Sequence, residues 1–176
     1  LLELLRGSMI ETHLVMSRTA ELTLAYETDR KLAAVKALAD HYHSNDDLAA
    51  PISSGSFLTL GMIVAPCSAK SLAEIANGVT PTLISRAADV VLKERRRLVL
   101  MLRETPLHLG HIRNMATVTE MGGIIAPPVP AMYAQPQSIE EMVDQSLGRV
   151  LDLFGLHLDH VARWDKGSKR RGKNAR

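Results

Sequence analysis

Apolar positions along the chain recur with two different periods, and the changes of period mark out its elements. Short apolar-rich runs occur at Ile10–Met16, Gly61–Ala65, Leu98–Leu102 and Ile124–Ala126, of which Leu98–Leu102 is apolar on both faces. Short runs of this kind predict strands, and those apolar on both faces suit a covered parallel sheet. Between them the apolar residues fall three and four apart. This spacing predicts helices from Ser17 to about Glu27, over about 31–39, 69–76, 81–93 and 107–121, and from Ser138 to Phe154. Leu1–Arg6 reads as the last turns of a helix closed by Gly7, and the polar stretch from Asp40 to Ala50 as a loop with short structured pieces. Strands alternating with helices predict an α/β protein, a three-layer doubly wound and mostly parallel sheet.

Local signals sharpen several boundaries. Thr80 is a plausible N-cap for a helix with Pro81 at its first position, where no amide donor is needed. Ser138-Ile-Glu-Glu141 has the form of a capping box, and Gly122-Gly123 of a helix stop. The small residues of Pro51-Ile-Ser-Ser-Gly-Ser56 let backbone come close to a neighbour.

Charge changes the picture at one end only. The chain has 21 Lys and Arg against 19 Asp and Glu, but residues 166–176 hold six of the basic ones and no acid. Residues 1–165 are therefore slightly acidic and read as one domain; 166–176 read as a basic, disordered tail. No aromatic residues are interleaved with those basic ones, which argues against nucleic-acid binding. No apolar run has the length of a membrane span. The single Cys67 excludes an internal disulfide and fits a reducing cytoplasm.

Candidate chemistry concentrates where predicted strands end. Met16-Ser17, Ser53–Ser56 and Cys67-Ser68-Ala69-Lys70-Ser71 place small hydroxyl residues at strand ends or helix starts, where free amides attract phosphate. Arg86, Asp89 and Lys93 share one stripe of a helix, and Arg103-Glu104 closes an apolar strand at the edge where open α/β sheets bind ligands. Arg149 borders an apolar helix face. On spacing alone each of these is equally a solvated or snorkelling side chain. Cys67 precedes a helix N-terminus, which can lower a thiol's pKa, but packing is the simpler reading. Tyr133 is a pocket residue or an exposed loop tyrosine, and Trp164 an anchor for the C-terminus. His108 and His111 lie three apart with no carboxylate or cysteine at ligand spacing, so no metal site is expected.

The segments Ile10-Glu-Thr-His-Leu-Val-Met-Ser17, Glu27-Thr-Asp29, Ile52-Ser-Ser-Gly-Ser56, Pro66-Cys-Ser68, Arg86-Ala-Ala-Asp-Val-Val-Leu-Lys-Glu-Arg95, Arg103-Glu-Thr-Pro-Leu107 and Pro127-Pro-Val-Pro-Ala-Met-Tyr133 closely resemble the UbiX-type flavin prenyltransferases. The resemblance runs in family order from about Leu1 to Trp164. It implies a Rossmann/flavodoxin-like fold and a metal-independent transfer of a dimethylallyl group from dimethylallyl phosphate to N5 and C6 of reduced FMN. The product, prenylated FMN, serves a UbiD-type decarboxylase in the family. The resemblance also implies a homo-oligomer, a dodecamer, with sites completed between subunits.

Residue by residue, it implies that Ser17, Ser68, Ala69, Lys70, Ser71 and Arg103 contact FMN. It puts Tyr133, Arg149, Arg86 and Lys93 on the prenyl phosphate, and Glu27, Glu104 and Lys93 in catalysis. One departure stands out: the family's opening strand and its Gly-x-Ser-Gly-Ala turn are not in this sequence, so the sheet is expected to lack its first, central strand. Rival readings are a flavin-dependent cysteine-peptide decarboxylase, which would carry a Pro-x-Met-Asn-type segment near Pro127–Tyr133, an aromatic-acid decarboxylase, or, if the protein truly lacks the Gly-rich turn, an inactive accessory subunit.

Overall fold

The computed structural model describes residues 1–158 together with Val161 and Arg163; Trp164 and the basic tail lie outside the described residues. The chain divides into two compact units, Leu1–Pro128 and Val129–Arg176.

The first unit carries five strands: β1 (His13–Met16), β2 (His41–Ser44), β3 (Gly61–Cys67), β4 (Arg97–Leu102) and β5 (Ile124–Ile125). All ladders are parallel. β1 pairs only with β2, in the register His13 to His41 and Val15 to His43, and β3–β4–β5 form a second sheet. Among the described residues β1 and β3 do not pair. β4 is buried from Leu98 to Leu102, which explains a run apolar on both faces. Leu98, Leu100 and Leu102 meet Cys67, Leu72, Ala88, Val91 and Val118 in the main core cluster.

The helices are α1 (Leu2–Leu5), α2 (Arg18–Glu27), α3 (Leu32–Lys36), α4 (Ala69–Ala76), α5 (Leu83–Lys93), α6 (Leu109–Glu120) and, in the second unit, α7 (Ile139–Asp152). Their starts follow the side chains that cap them. Ser17 accepts from the Ala20 amide and Ser68 from the Ser71 amide, both at 3.1 Å. α5 starts two residues later than Thr80 and Pro81 suggested. Thr82 is its N-cap, in a reciprocal box with Ser85, and Asn45 takes the Leu83 amide on its backbone oxygen at 2.8 Å and the Ile84 amide on its side chain at 3.2 Å.

The polar stretch after Asp40 contains β2, which the apolar pattern did not reveal. Only His43 of its four residues is even half-buried, so its stability comes from the backbone ladder to β1 rather than from a buried face.

In the second unit, α7 starts at Ser138, whose hydroxyl accepts from the Glu141 amide. The Glu141 carboxylate reaches the Gln137 amide at 2.6 Å. Of the apolar face predicted for this helix, Val150 and Leu151 are buried, whereas Ile139 and Val143 are exposed.

Candidate active site

The carboxyl ends of β3 and β4 come together. Cys67 is in register with Leu102, and the Arg103 amide donates to the Cys67 carbonyl at 3.0 Å. This bond brings Ser68 and the start of α4 alongside Arg103 and Glu104. Ser68 Oγ caps the Ser71 amide and lies 3.1 Å from Ser71 Oγ. The Ala69 and Lys70 amides ahead of it have no acceptor among the described residues. The same holds for the Arg18 and Thr19 amides at the start of α2, ahead of the bond from Ala20 to Ser17. Unused donors beside serine hydroxyls, at the ends of parallel strands, suit the phosphate and polar edge of a flavin mononucleotide. The Arg103 side chain is exposed and unpaired among the described residues, and Glu104 accepts from the Thr105 amide at 3.1 Å.

A second cluster lies on α5. Arg86 donates from Nε to the Ser53 carbonyl at 3.3 Å and from Nη1 to Asp89 at 3.5 Å. One helical stripe further on, Lys93 pairs with Glu94, which holds the Glu94 carboxyl below its ordinary range. Gly55 passes so close to this pair that an added Cβ would collide with Glu94 Oε1 and Lys93 Nζ. The small-residue segment thus approaches the cations of α5 through its backbone. Arg96 fixes it there, donating to the carbonyls of Gly55 at 2.6 Å and Phe57 at 2.7 Å. The acceptors of Arg96 lie about forty residues back in the sequence, so sequence spacing alone does not reveal them. Arg95 is exposed and adopts a left-handed conformation (φ 57°).

Glu27 ends α2, nine residues from its start. At 1.5 Å per residue, ~14 Å of helix separates it from the Ser17 end, so the two do not share one corner of the unit.

In the second unit, Tyr133 is exposed and its hydroxyl lies 3.5 Å from Gln145 Nε2. Arg149 donates to Asp152, which also takes two bonds of 2.7 Å from Arg163 and lies 2.7 Å from His157 Nδ1. Hydrogen bonds from Arg163, then His157, together with the charges of Arg163 and Arg149, hold the Asp152 carboxyl well below the usual carboxylate range.

Cys67 is fully buried, and burial pushes its thiol up to about 12, so the helix N-terminus next to it does not make it a nucleophile. His108 caps α6, accepting from the Gly110 amide at 3.0 Å, and its ring stacks on His111. A group not singled out from the sequence is Glu11, His13, His41 and His43. It is assembled by the β1–β2 register, and only the alternation of His at 41 and 43 hinted at it. Burial, and then the charges of His41 and His43, lower the His13 pKa.

A family model described as Flavoprotein matches residues 1–151. The flavin prenyltransferase UbiX of Escherichia coli (strain K12) is 56% identical over 167 residues, covering 93% of this chain and 88% of that protein. The crystal structure of AnUbiX (PadA1) in complex with FMN and dimethylallyl pyrophosphate is 57% identical. It superposes with a TM-score of 0.91 over 93% of this chain and 87% of that one. The dodecameric FMN-dependent UbiX-like decarboxylase from Escherichia coli O157:H7 is 49% identical, with a TM-score of 0.90 over 93% and 89% of the two chains. With the strand ends, serine caps and cationic α5 stripe in place, these likenesses identify the chain as a member of the flavoprotein family and, within it, of the UbiX-type flavin prenyltransferases.

Proposed function

We propose that this chain is a flavin prenyltransferase that joins the dimethylallyl group of dimethylallyl phosphate to N5 and C6 of reduced FMN and releases phosphate. The observation that carries this reading is the likeness to a structure holding both an FMN and a dimethylallyl pyrophosphate, at 57% identity over nearly the whole chain. When bound, reduced FMN supplies the nucleophilic nitrogen and then the ring carbon.

The chain's own residues do the rest. Ser17, Ser68 and Ser71, the free amides of Ala69 and Lys70, the Lys70 side chain and Arg103 hold the flavin at the strand ends. Arg86 and Lys93 take up the negative charge that develops on the departing phosphate, and Arg149 and Tyr133 hold the prenyl phosphate. Prearranged cations stabilise such a leaving group without a metal ion. As the ring closes, the prenyl double bond must gain a proton while C6 loses one; Glu104, beside Arg103, and Glu27 would handle these two protons, one giving and one taking. Because Glu27 stands apart from Ser17 within one chain, its part is supplied to the site of a neighbouring copy.

A homo-dodecamer, delivery of prenylated FMN to a UbiD-type decarboxylase and a cytoplasmic location complete the proposal. The dodecameric relative supports the first of these, and the free, buried Cys67 fits the last. No helix of the described residues is long and apolar enough to cross a membrane.

The test is anaerobic incubation of the purified protein with reduced FMN and dimethylallyl phosphate, followed by mass analysis of the released flavin. The expected result is a gain of one isoprene unit (C5H8), and an Arg149→Ala variant that retains FMN but loses turnover. Unmodified FMN from folded, flavin-loaded protein would refute the reading. Carbon dioxide release from an aromatic acid without a partner enzyme would favour the decarboxylase instead.

A further inference from the structure

The parallel register of β1 and β2 brings three metal-ligating side chains together at the amino ends of the two strands. His13 lies opposite His41 in the ladder, and Glu11, two residues before β1 begins, reaches both of them. His41 Nε2 is 2.7 Å and His13 Nε2 3.5 Å from the same oxygen, Glu11 Oε1. One donor atom from each of the three residues lies within 4.8 Å of the others. The imidazoles of His13 and His41 stack with centroids 4.7 Å apart, and the edge of Phe57 abuts the His13 ring.

We propose that Glu11, His13 and His41 bind a divalent transition-metal ion of the zinc type, with His43 orienting His13. The donor set, two imidazole nitrogens and one carboxylate, is the one such ions select, and it leaves a coordination position for water. Bonds of about 2.0–2.2 Å to a tetrahedral ion separate ligand atoms by about 3.4 Å, a spacing these side chains reach by small rotations from their present contacts.

His43 Nε2 lies 2.9 Å from His13 Nδ1. With the Nδ1 proton of His13 donated to His43, the Nε2 lone pair of His13 faces Glu11 and the ion, the outer-shell arrangement that fixes a ligating histidine. His41 gives up its hydrogen bond to Glu11, moves its remaining proton to Nδ1 and ligates through Nε2. Access is open: the His41 and Glu11 side chains are 50% and 65% exposed, while His13 at 15% supplies the rigid anchor.

The ion would tie β1 to β2 near their amino ends. Four residues of strand, ~13 Å, lie between His13 and the flavin-side Ser17, so this site does not draw on the residues assigned to prenyl transfer. It adds a metal cross-link to a two-stranded ladder already tied by the side-chain contacts of Glu11 with His41 and His13 with His43.

The experiment uses tag-free, metal-stripped protein titrated with Co2+, followed by its visible d–d absorption, and with Zn2+, followed by calorimetry and thermal unfolding. One ion per chain is expected, with a rise in Tm on Zn2+ addition. Both ligands tested are exposed, so His41→Ala and Glu11→Gln fold normally, as their metal-free Tm will show, and each weakens binding at least tenfold. His108→Ala, at the stacked pair on α6, leaves binding unchanged. Absence of saturable Co2+ absorption in the parent protein would overturn the proposal. So would undiminished binding in both ligand variants, or loss of binding in His108→Ala.

Discussion

Replacing Arg96 by Met should loosen a loop some forty residues away. Its guanidinium donates to the carbonyls of Gly55 and Phe57 at 2.6 and 2.7 Å, and Met keeps most of the aliphatic stem while removing both bonds. A hydrogen bond with a charged partner contributes ~1.5–3 kcal/mol. The two share one half-buried side chain, and water can replace part of what is lost. The low end applies, for a total of about 2 kcal/mol. For a chain of this length each kcal/mol moves Tm by about 2–4 °C, so Arg96→Met should unfold about 4–8 °C lower.

The neighbouring Arg95 is the control. Its side chain is exposed and makes no hydrogen bond or ion pair among the described residues, so Arg95→Met should change Tm little. Hydrogen exchange gives the local readout: the amides of Ser56 and Phe57, which now bond to Ser54, should exchange faster in Arg96→Met but not in Arg95→Met. Equal effects of the two substitutions, or an Arg96 variant as stable as the parent, would refute the assignment of Arg96 as the tie that holds the segment against α5.

Two further outcomes follow from perturbed groups. The Cys67 thiol, buried and pushed up to about 12, should resist a thiol reagent at pH 8 in the native protein and react at once in urea; rapid stoichiometric labelling of the native state would contradict its place in the core. Asp152 has a folded pKa held below its ordinary value of 3.8, so its stabilising effect is complete above that value and disappears as pH falls. The urea midpoint of the parent should therefore drop more steeply between about pH 5 and 2 than that of Asp152→Asn, and parallel curves would show that the carboxylate is not engaged.

The parts of the fold legible in the sequence are those where one physical signal dominates. β4 declared itself because both of its faces are buried, and α4 and α7 because a serine caps each and apolar residues recur beneath. β2 stayed hidden because an exposed parallel strand needs no apolar face, and His41-Tyr-His-Ser44 offers none. The start of α5 was misplaced because Pro81 suits a first turn, whereas the amides it would have left free are met from outside the helix, by Asn45. Site residues were legible as types at strand ends. Their partners were not: the contact of Arg96 with Gly55 and the histidine group on β1 and β2 both depend on segments far apart in sequence.

The cations proposed to receive phosphate share one further property. Arg86 pairs with Asp89, Lys93 with Glu94 and Arg149 with Asp152, each with a carboxylate at most three residues along the chain. Exposed local pairs of this sort contribute little to stability, so they restrain the side chains without locking them. A phosphate that offers shorter, multiple contacts can therefore draw the cations away at small cost. At Asp152 the exchange is easier still, because Arg163 already holds that carboxylate by two bonds, and releasing Arg149 leaves no orphaned charge. Arg103 has no such carboxylate partner among the described residues, in keeping with a role toward the flavin rather than the leaving group. On that proposal the acids beside the cations act as placeholders, holding Arg86, Lys93 and Arg149 in local pairs until a phosphate replaces them.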